Sequence, residues 1–359
     1  MKVVELWDFV SLDRIKSYYY KDGKNIAFDD NKPYTMNNAI SSECFVGGPQ
    51  YTIVSDGSYF IAANEYDGVP PVDPSVDVVL YANERVGLMN ENYEKYSPDS
   101  MRKIFPNAAI VARIKEIPPH FNSGVHVLSP GESPHRQIRP ERPGNRIRFF
   151  NECDYALVSG TRDSVFCNVP YFQELRKHLN KELIFIPGPI QIDYMYNNFY
   201  SDEKSNSIFA YAPTVHERRS DTIEFANYIG EKYGLEVFTK PSNVGTLAGQ
   251  NNMDGMDFTK MWSKHLYNFN LDPLDIQPGL HGKQVASVGS INIGGNNDSH
   301  KILFPKTANC DWNKLEEEFS KYHTNEKERF AVIENAWNKL NEVFSPEGVS
   351  KEIKRNFLS

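Results

Sequence analysis

Continuous apolar runs, separated by polar loops and by stretches with helical spacing, form the main pattern of the chain from residue 76 onward. A continuous run, unlike an alternating one, is typical of a parallel strand that is covered on both faces. We therefore predict an α/β protein with doubly wound parallel sheets. The predicted strands cover residues 76–81, 108–112, 155–159, 183–186, 207–211, 235–239, 265–270 and 291–293, and the predicted helices include 171–179, 221–233 and 258–264.

The first 75 residues follow no such pattern. Two short apolar runs, residues 51–54 and 59–63, are surrounded by Gly, Asp and Asn turn signals. We predict that both runs are strands.

A domain boundary is predicted near Pro189, where the alternating pattern stops at a Pro-Gly-Pro sequence and a polar segment follows. The N-terminal domain then covers residues 1–189, and the C-terminal domain covers 190–344. Residues 345–359 form a tail that we expect to pack back on the N-terminal domain. Near the end of the C-terminal domain, apolar residues spaced three and four apart place one stripe on a helix, which we interpret as core or interdomain packing. The stripe consists of Phe330, Ile333, Trp337, Leu340 and Phe344.

Composition narrows the class of protein. A chain of 359 residues with 40% hydrophobic content can bury two ordinary cores. With 39 basic and 47 acidic residues, the chain has a net charge of −8. This charge disfavours binding to nucleic acid or to an anionic membrane, so such a partner would need a local basic patch. The four cysteines are widely spaced, which favours reduced thiols. With no signal-peptide pattern and no apolar run near the roughly 20 residues that span a bilayer, we expect a cytoplasmic protein without integral membrane contact, with peripheral contact at a membrane left open.

Four segments between residues 76 and 344 resemble GT-B glycosyltransferases of the retaining, family-four-like branch. The resemblance implies two Rossmann-like domains that face each other across a cleft, followed by C-terminal helices. It also implies that the N-terminal domain binds the acceptor and that the C-terminal domain binds a nucleotide-sugar. The segments are the early strands with residues 113–116, residues 149–159, residues 184–190, and the glycine-rich residues 277–289.

The segment 277–289 resembles the donor loop of that family and the helix that follows it. Backbone N–H groups at a helix start, together with the positive end of the helix dipole, favour an anionic diphosphate. Gly279 and Gly282 allow its close approach. Gln284 stands where the family has a glutamate for ribose hydroxyls, and an amide binds a hydroxyl without charge assistance. The alternative is a helix start that simply packs under a sheet.

Other donor residues are implied by the same resemblance. Arg218, with Arg219 beside it, matches a basic position on the diphosphate, where a guanidinium binds two oxygens at once; a solvated charge pair is the alternative. Asp257 and Trp262 are candidates for base recognition, with aromatic core packing as the alternative. The full donor set is Arg218, Arg219, Asp257, Trp262, Gly279, His281, Gly282, Lys283 and Gln284.

No Asp-x-Asp triplet occurs in the sequence. Metal-dependent transferases of another fold use that triplet to hold a divalent ion on the diphosphate. We therefore expect a metal-independent reaction without a cofactor, in which helix ends and basic side chains neutralise the leaving group and the nucleoside-diphosphate sugar is a substrate. Retention of the anomeric configuration is implied by the resemblance alone.

The segment 120–148 is basic and rich in proline and glycine, which indicates a loop. Its arginines suit an anionic acceptor, either a glycan or lipid-linked sugar, or a hydroxymethylated base in DNA that would have to be flipped out of the duplex. A solvated loop without a ligand is the alternative. The acceptor candidates are Arg136, Arg139, Arg142 and Arg146.

Catalytic candidates lie where the second strand of the N-terminal domain is predicted to meet the cleft. They are Lys115 and Glu116, with His120 and His126 nearby, although a histidine also serves structural purposes. Two other functions fit the same outline. One is a nucleotide-sugar epimerase or hydrolase that uses a carboxylate such as Glu116, and the other is a degenerate transferase that only binds, as Gln284 suggests.

Overall fold

The chain forms two compact units. Unit 1 consists of Met1–Pro189 together with Pro346–Ser359, and unit 2 consists of Ile190–Ser345. The computed structural model describes residues 1–7, 20–21, 24–25, 34–35, 50–55, 57–62, 70–82, 95–114, 143–162, 170–211, 219–239, 255–271 and 280–358.

Unit 1 is built on a sheet with the strand order β4-β5-β1-β6-β7-β8-β9 within the described residues. Its neighbouring strands are parallel except for the antiparallel pair β4 and β5. The strands are β1 (Val3–Trp7), β4 (Tyr34–Thr35), β5 (Tyr59–Ala62), β6 (Val78–Tyr81), β7 (Ala109–Ile114), β8 (Tyr155–Val158) and β9 (Leu183–Phe185), and β2 (Tyr20–Lys21) pairs separately with β3 (Lys24–Asn25).

Along the sequence, helices lie between the strands of this sheet, and one further helix follows unit 2. The first of them starts after Ser97, whose side chain accepts a hydrogen bond from the Ser100 amide, and Pro98 occupies the first turn, where no N–H is needed. The helices of unit 1 are α1 (Pro98–Ile104), α2 (Pro143–Glu152), α3 (Pro170–His178) and α11 (Pro346–Phe357), with a 3-10 helix at Gln50–Val54.

The prediction of a strand at residues 51–54 is wrong, because this segment is the 3-10 helix. The buried carboxylate of Glu5 accepts hydrogen bonds from the backbone amides of Tyr51, at 2.8 Å, and Thr52, at 3.2 Å. The Tyr51 hydroxyl donates to the carbonyl of Ile186 at 3.1 Å. A side chain thus satisfies the amides that a strand would pair with a neighbouring strand.

Helix α11 completes the core of unit 1. Val349, Ile353 and Phe357 belong to the same buried cluster as strand residues such as Val3 and Val78. These three side chains are spaced four residues apart, so they share one face of the helix.

Unit 2 contains a parallel sheet with the strand order β11-β10-β12-β13. The strands predicted from residue 76 onward and the three named helices are confirmed in both units, with bounds that shift by at most three residues. The strands of unit 2 are β10 (Ser205–Ala210), β11 (Val237–Thr239), β12 (His265–Phe269) and β13 (Ile291–Ile293), and its helices are α4 (Ile192–Phe199), α5 (Arg219–Tyr233), α6 (Gly255–Trp262), α7 (Leu280–Ser287), α8 (Asp298–Leu303), α9 (Trp312–Thr324) and α10 (Glu326–Val343).

The apolar stripe predicted on α10 is buried only at its C-terminal end. Leu340 and Phe344 are buried, whereas Phe330 is 60% exposed. Trp337, between them, is half-buried and lies 5.2 Å from the ring centre of Tyr196. Phe330 therefore does not pack as core, which corrects the prediction for that residue, whereas Ile333 is half-buried.

Candidate functional site

The carboxyl edge of the unit 2 sheet contains a switch in strand order. The chain passes from β10 to β11 on one side and then to β12 on the other side of β10. Ligands of open α/β sheets bind outside the carboxyl ends of the strands at such a point. The Tyr211 amide donates to Phe269 O at 2.8 Å and the Asn270 amide donates to Ile293 O at 2.9 Å, so the strands end side by side.

Helix α7 begins at Leu280, as the resemblance to a donor loop implied. The ring of His281, in the first turn, stacks on Tyr211 with ring centres 4.0 Å apart and planes 11° apart. Trp262, from the end of α6, meets the same imidazole edge-to-face at 5.4 Å. Two members of the predicted donor set, His281 and Trp262, are therefore in contact at the carboxyl edge of β10.

The imidazole of His281 is only 6% exposed. Neither Nδ1 nor Nε2 has a hydrogen-bond partner in the described part of the chain. Burial, with a smaller contribution from His300, lowers the pKa of His281 well below its usual value. At neutral pH the ring is uncharged. Its two nitrogens are removed from water without forming a hydrogen bond in the protein, which lowers the stability of the fold.

His300, at the start of α8, is held between two glycines. A Cβ atom at Gly282 would lie 2.2 Å from Cδ2 of His300, and one at Gly295 would lie 2.2 Å from its Nδ1. Gly295 also has a φ of +84°, which L side chains rarely adopt. The space at Gly282 is thus filled by protein atoms, and its part in donor binding stays a prediction.

His300 is uncharged as well. Burial lowers the pKa of His300 to about 4, although a hydrogen bond to the backbone of Gly294 acts in the opposite direction. Its neighbour Asn292 donates to the carbonyl of Gly294 at 2.9 Å. Nε2 of His300 and Oδ1 of Asn292 have no partner among the described residues.

Sequence reasoning missed the segment from Gly294 to His300. Asn297 caps α8 by accepting from the His300 amide at 3.0 Å, and Ser299 donates to the same side-chain oxygen at 2.9 Å. The available signal was a Gly-Gly pair after an apolar strand, followed by Asn-Asn-Asp-Ser, a typical helix start.

The remaining described donor candidates lie further along α7. Lys283 and Gln284 are both buried. The ammonium group of Lys283 lies 5.5 Å from the ring centre of Phe344, a cation–π contact within unit 2.

Several predicted site residues are not located by the structure. Arg146, Arg219 and Asp257 belong to α2, α5 and α6, but their side chains are outside the described set. The candidates wholly outside the described residues are Lys115, Glu116, His120, His126, Arg136, Arg139, Arg142, Arg218 and Gly279.

A second buried polar network lies in unit 1, and sequence reasoning missed it too. Glu5 and Arg113 are both buried, and the guanidinium carbon of Arg113 lies 5.9 Å from the ring centre of Tyr51. The Tyr51 hydroxyl is 3.0 Å from Oγ of Ser159, which directly follows β8. Arg113 is the penultimate residue of β7, so the network reaches the carboxyl edge of the unit 1 sheet.

The described residues hold neither a metal-binding cluster nor a membrane-spanning helix. They contain no group of three or more His, Cys, Asp or Glu side chains that could hold a metal ion. They also contain no helix that is long and apolar enough to cross a membrane.

Comparison with solved structures identifies the fold. An alpha-glucosyltransferase (AGT) in complex with UDP matches with a TM-score of 0.53 and 10% identity, over 84% of this chain and 86% of that one. An alpha-glucosyltransferase with UDP and a 13-mer DNA containing an HMU base matches with a TM-score of 0.50 and 11% identity, over 86% and 88%. The chain therefore has the α/β fold of GT-B glycosyltransferases.

A weaker likeness, with a TM-score of 0.47 and 12% identity, is to an S. aureus TarM mutant in complex with Fondaparinux, alpha-GlcNAc-glycerol and UDP. It covers 79% of this chain, which spans only 55% of the length of that structure. No protein-family model matches the sequence, and no curated protein matches it.

Proposed function

We propose that the protein is a glycosyltransferase that transfers a hexose or a similar sugar from a nucleoside-diphosphate sugar to a hydroxyl of an anionic acceptor. The donor binds at the carboxyl edge of the unit 2 sheet, and the acceptor binds to unit 1. The observation that carries the proposal is the buried, uncharged and unpartnered imidazole of His281 at the switch point, in the first turn of α7. The GT-B fold and the UDP in the similar glucosyltransferase structures support the choice of donor.

The proposed reaction needs stabilisation of a departing nucleoside diphosphate. The start of α7 offers the positive end of a helix dipole, and Arg218 and Arg219 offer guanidinium groups for the phosphate oxygens. We propose a metal-independent mechanism that retains the anomeric configuration. In it these groups, instead of a divalent ion, neutralise the charge of the departing diphosphate. Lys115, Glu116, His120 and His126 are the proposed catalytic residues.

A panel of sugar nucleotides and free nucleoside diphosphates tests the donor proposal. A ligand at 100 times its Kd stabilises the folded state by about 2.7 kcal/mol, which a thermal-shift experiment detects. We expect one base to be preferred and His281→Ala to reduce the shift. The matched control is His178→Ala, an exposed histidine of unit 1, which keeps the full shift. A panel without any stabilising nucleotide would contradict the proposal.

Product analysis then tests the reaction type. A transferase releases the nucleoside diphosphate together with a glycoside of the acceptor. An epimerase or hydrolase releases the nucleotide with an altered or free sugar, and a binding protein releases nothing.

DNA with hydroxymethylated bases is the second candidate acceptor. It is favoured by the likeness to the alpha-glucosyltransferase structure that contains DNA with an HMU base and by the arginines of segment 120–148. We expect transfer of labelled sugar to a hydroxymethylated duplex, and none to the unmodified duplex.

Binding of DNA should weaken steeply with salt. The double substitution Arg139→Ala and Arg142→Ala should weaken binding further. Arg162→Ala, at an exposed arginine of unit 1, serves as control. Absence of salt-sensitive DNA binding would leave glycans and lipid-linked sugars.

A further inference from the structure

The orientation of His281 is fixed by its two aromatic neighbours. Tyr211 covers one face of the imidazole at 4.0 Å, and Trp262 meets it at a steep angle of 72°. The stack fixes the plane of the ring, and its two nitrogens lie in that plane. Both nitrogens are buried, and neither has a partner in the part of the chain that the structure describes.

The protonation state of this ring limits what it can bind. An uncharged imidazole offers one N–H donor and one acceptor lone pair. A phosphate group at neutral pH offers acceptor oxygens, which can satisfy the donor nitrogen only. A hydroxyl group can both donate and accept, so a ligand that carries hydroxyl groups can satisfy both nitrogens.

His300, the second buried histidine described at this edge, does not have both ring nitrogens unpartnered. Its ring lies against Gly282 and Gly295, where even a Cβ atom would not fit, and it forms a hydrogen bond with the backbone of Gly294. His300 is therefore packed as part of the scaffold, and among the described residues of this edge His281 is the histidine whose two ring nitrogens both lack a hydrogen-bond partner.

We propose that neutral His281 is a specificity-determining residue that binds hydroxyl groups of the donor, on the ribose or on the transferred sugar. The inference rests on the proposed function, because it names the chemistry that the donor presents to this site. It predicts a contact that depends on hydroxyl groups rather than on the diphosphate.

Calorimetric titration of the full chain with three probes tests the inference. The probes are UDP, 2′,3′-dideoxy-UDP and UDP-glucose, or the corresponding set for whichever base the panel selects. His281→Phe keeps an aromatic stack but removes both polar atoms, and His281→Gln restores one donor and one acceptor. His265→Phe is the matched control, because His265 is a buried histidine of the same unit at the amino end of β12. Thermal unfolding of each variant checks that it is folded.

We expect His281→Phe to weaken UDP binding about tenfold, the equivalent of one hydrogen bond, and to leave dideoxy-UDP unchanged. His281→Gln should recover most of the affinity, and His265→Phe should change neither ligand. If the loss appears only on going from UDP to UDP-glucose, the hydroxyls are those of the transferred sugar, and the proposal stands with that source.

Other outcomes overturn the inference. An equal loss for UDP and dideoxy-UDP would give His281 a merely structural role. Unchanged binding of all three probes by His281→Phe would remove the residue from the site while the proposed function stands. A wild-type protein that binds no nucleotide of the panel would end both proposals.

Discussion

The carboxyl edges of the two parallel sheets bury polar groups of different kinds. In unit 1 they are charged, and Glu5 holds two backbone amides while Tyr51 binds Ser159 and Ile186. In unit 2 the two buried imidazoles of His281 and His300 are uncharged, and both nitrogens of His281 lack partners in the described residues. A buried polar group that is hydrogen-bonded stabilises a fold, whereas one without a partner lowers stability and is kept where it serves binding. Substitutions at the two edges should therefore change stability in opposite directions.

The largest expected effect concerns the helix that completes unit 1. Replacing Ile353 and Phe357 of α11 with alanine removes two buried side chains and should destabilise unit 1 by roughly 6 kcal/mol. Hydrogen exchange with mass spectrometry should show lost protection in the strands of unit 1 and normal protection in unit 2. Lys354→Ala, on the exposed face of the same helix, is the control. Equal loss of protection in both units would contradict their separate stability.

Glu5→Ala should destabilise unit 1 by about 4 kcal/mol, because it leaves the buried amides of Tyr51 and Thr52 without their acceptor. Hydrogen exchange of the segment from Gln50 to Val54 measures this loss. Glu182→Ala, at an exposed carboxylate, should stay within about 0.5 kcal/mol of the wild type. If Glu5→Ala is as harmless as this control, the network does not stabilise unit 1.

The free energy of unfolding of unit 2 should decrease as the pH falls below neutrality. The pKa of His300 is about 4 in the folded protein, against 6.5 ordinarily. The unfolded chain therefore takes up a proton first as pH falls, and stability is lost between pH 6.5 and pH 4, by about 3 kcal/mol for this group. The pKa of His265 is lowered to about 4 as well, so it adds to the same trend.

Tryptophan fluorescence can isolate that effect. Three of the four tryptophans, Trp262, Trp312 and Trp337, belong to unit 2, so urea unfolding in a Trp7→Phe background follows this unit alone. His300→Leu should reduce the pH slope whatever its effect on stability at neutral pH. A slope that is unchanged in this variant would show that His300 is not the titrating group.

The smallest effect has the opposite sign. His281→Phe should leave unit 2 as stable as the wild type or stabilise it by about 1 kcal/mol, since it removes two buried polar atoms that have no protein partner. His265→Phe should destabilise, because His265 Nδ1 is paired with Ser207 Oγ at 2.7 Å. Urea unfolding in the same background compares the two. Destabilisation by His281→Phe as large as that by His265→Phe would contradict the distinction between unpaired and paired buried imidazoles.

The sequence predicted the parts of the fold that depend on local patterns. Continuous apolar runs located the parallel strands from Val78 onward because such strands are covered on both faces. The same rule failed at Gln50–Val54, where the decisive contact is with Glu5, 46 residues from Tyr51. Burial of a charged residue in a strand leaves no local signal.

The candidate site was predictable only in part, for a similar reason. The glycine-rich helix start pointed to His281 and Gly282, but the stack on Tyr211 joins residues 70 positions apart. Gly282 leaves room for the ring of His300 because of how α7 packs on α8. No spacing along the chain reveals that packing.

The return of the chain to unit 1 at Pro346 has a consequence for biosynthesis. Unit 2 is contiguous, from Ile190 to Ser345, whereas unit 1 lacks Val349, Ile353 and Phe357 until these residues have been translated. Domains generally fold during synthesis in the order in which they emerge. Here the unit that starts first is completed last, so the apolar face of its sheet stays uncovered by α11 until the end of unit 2 has been translated.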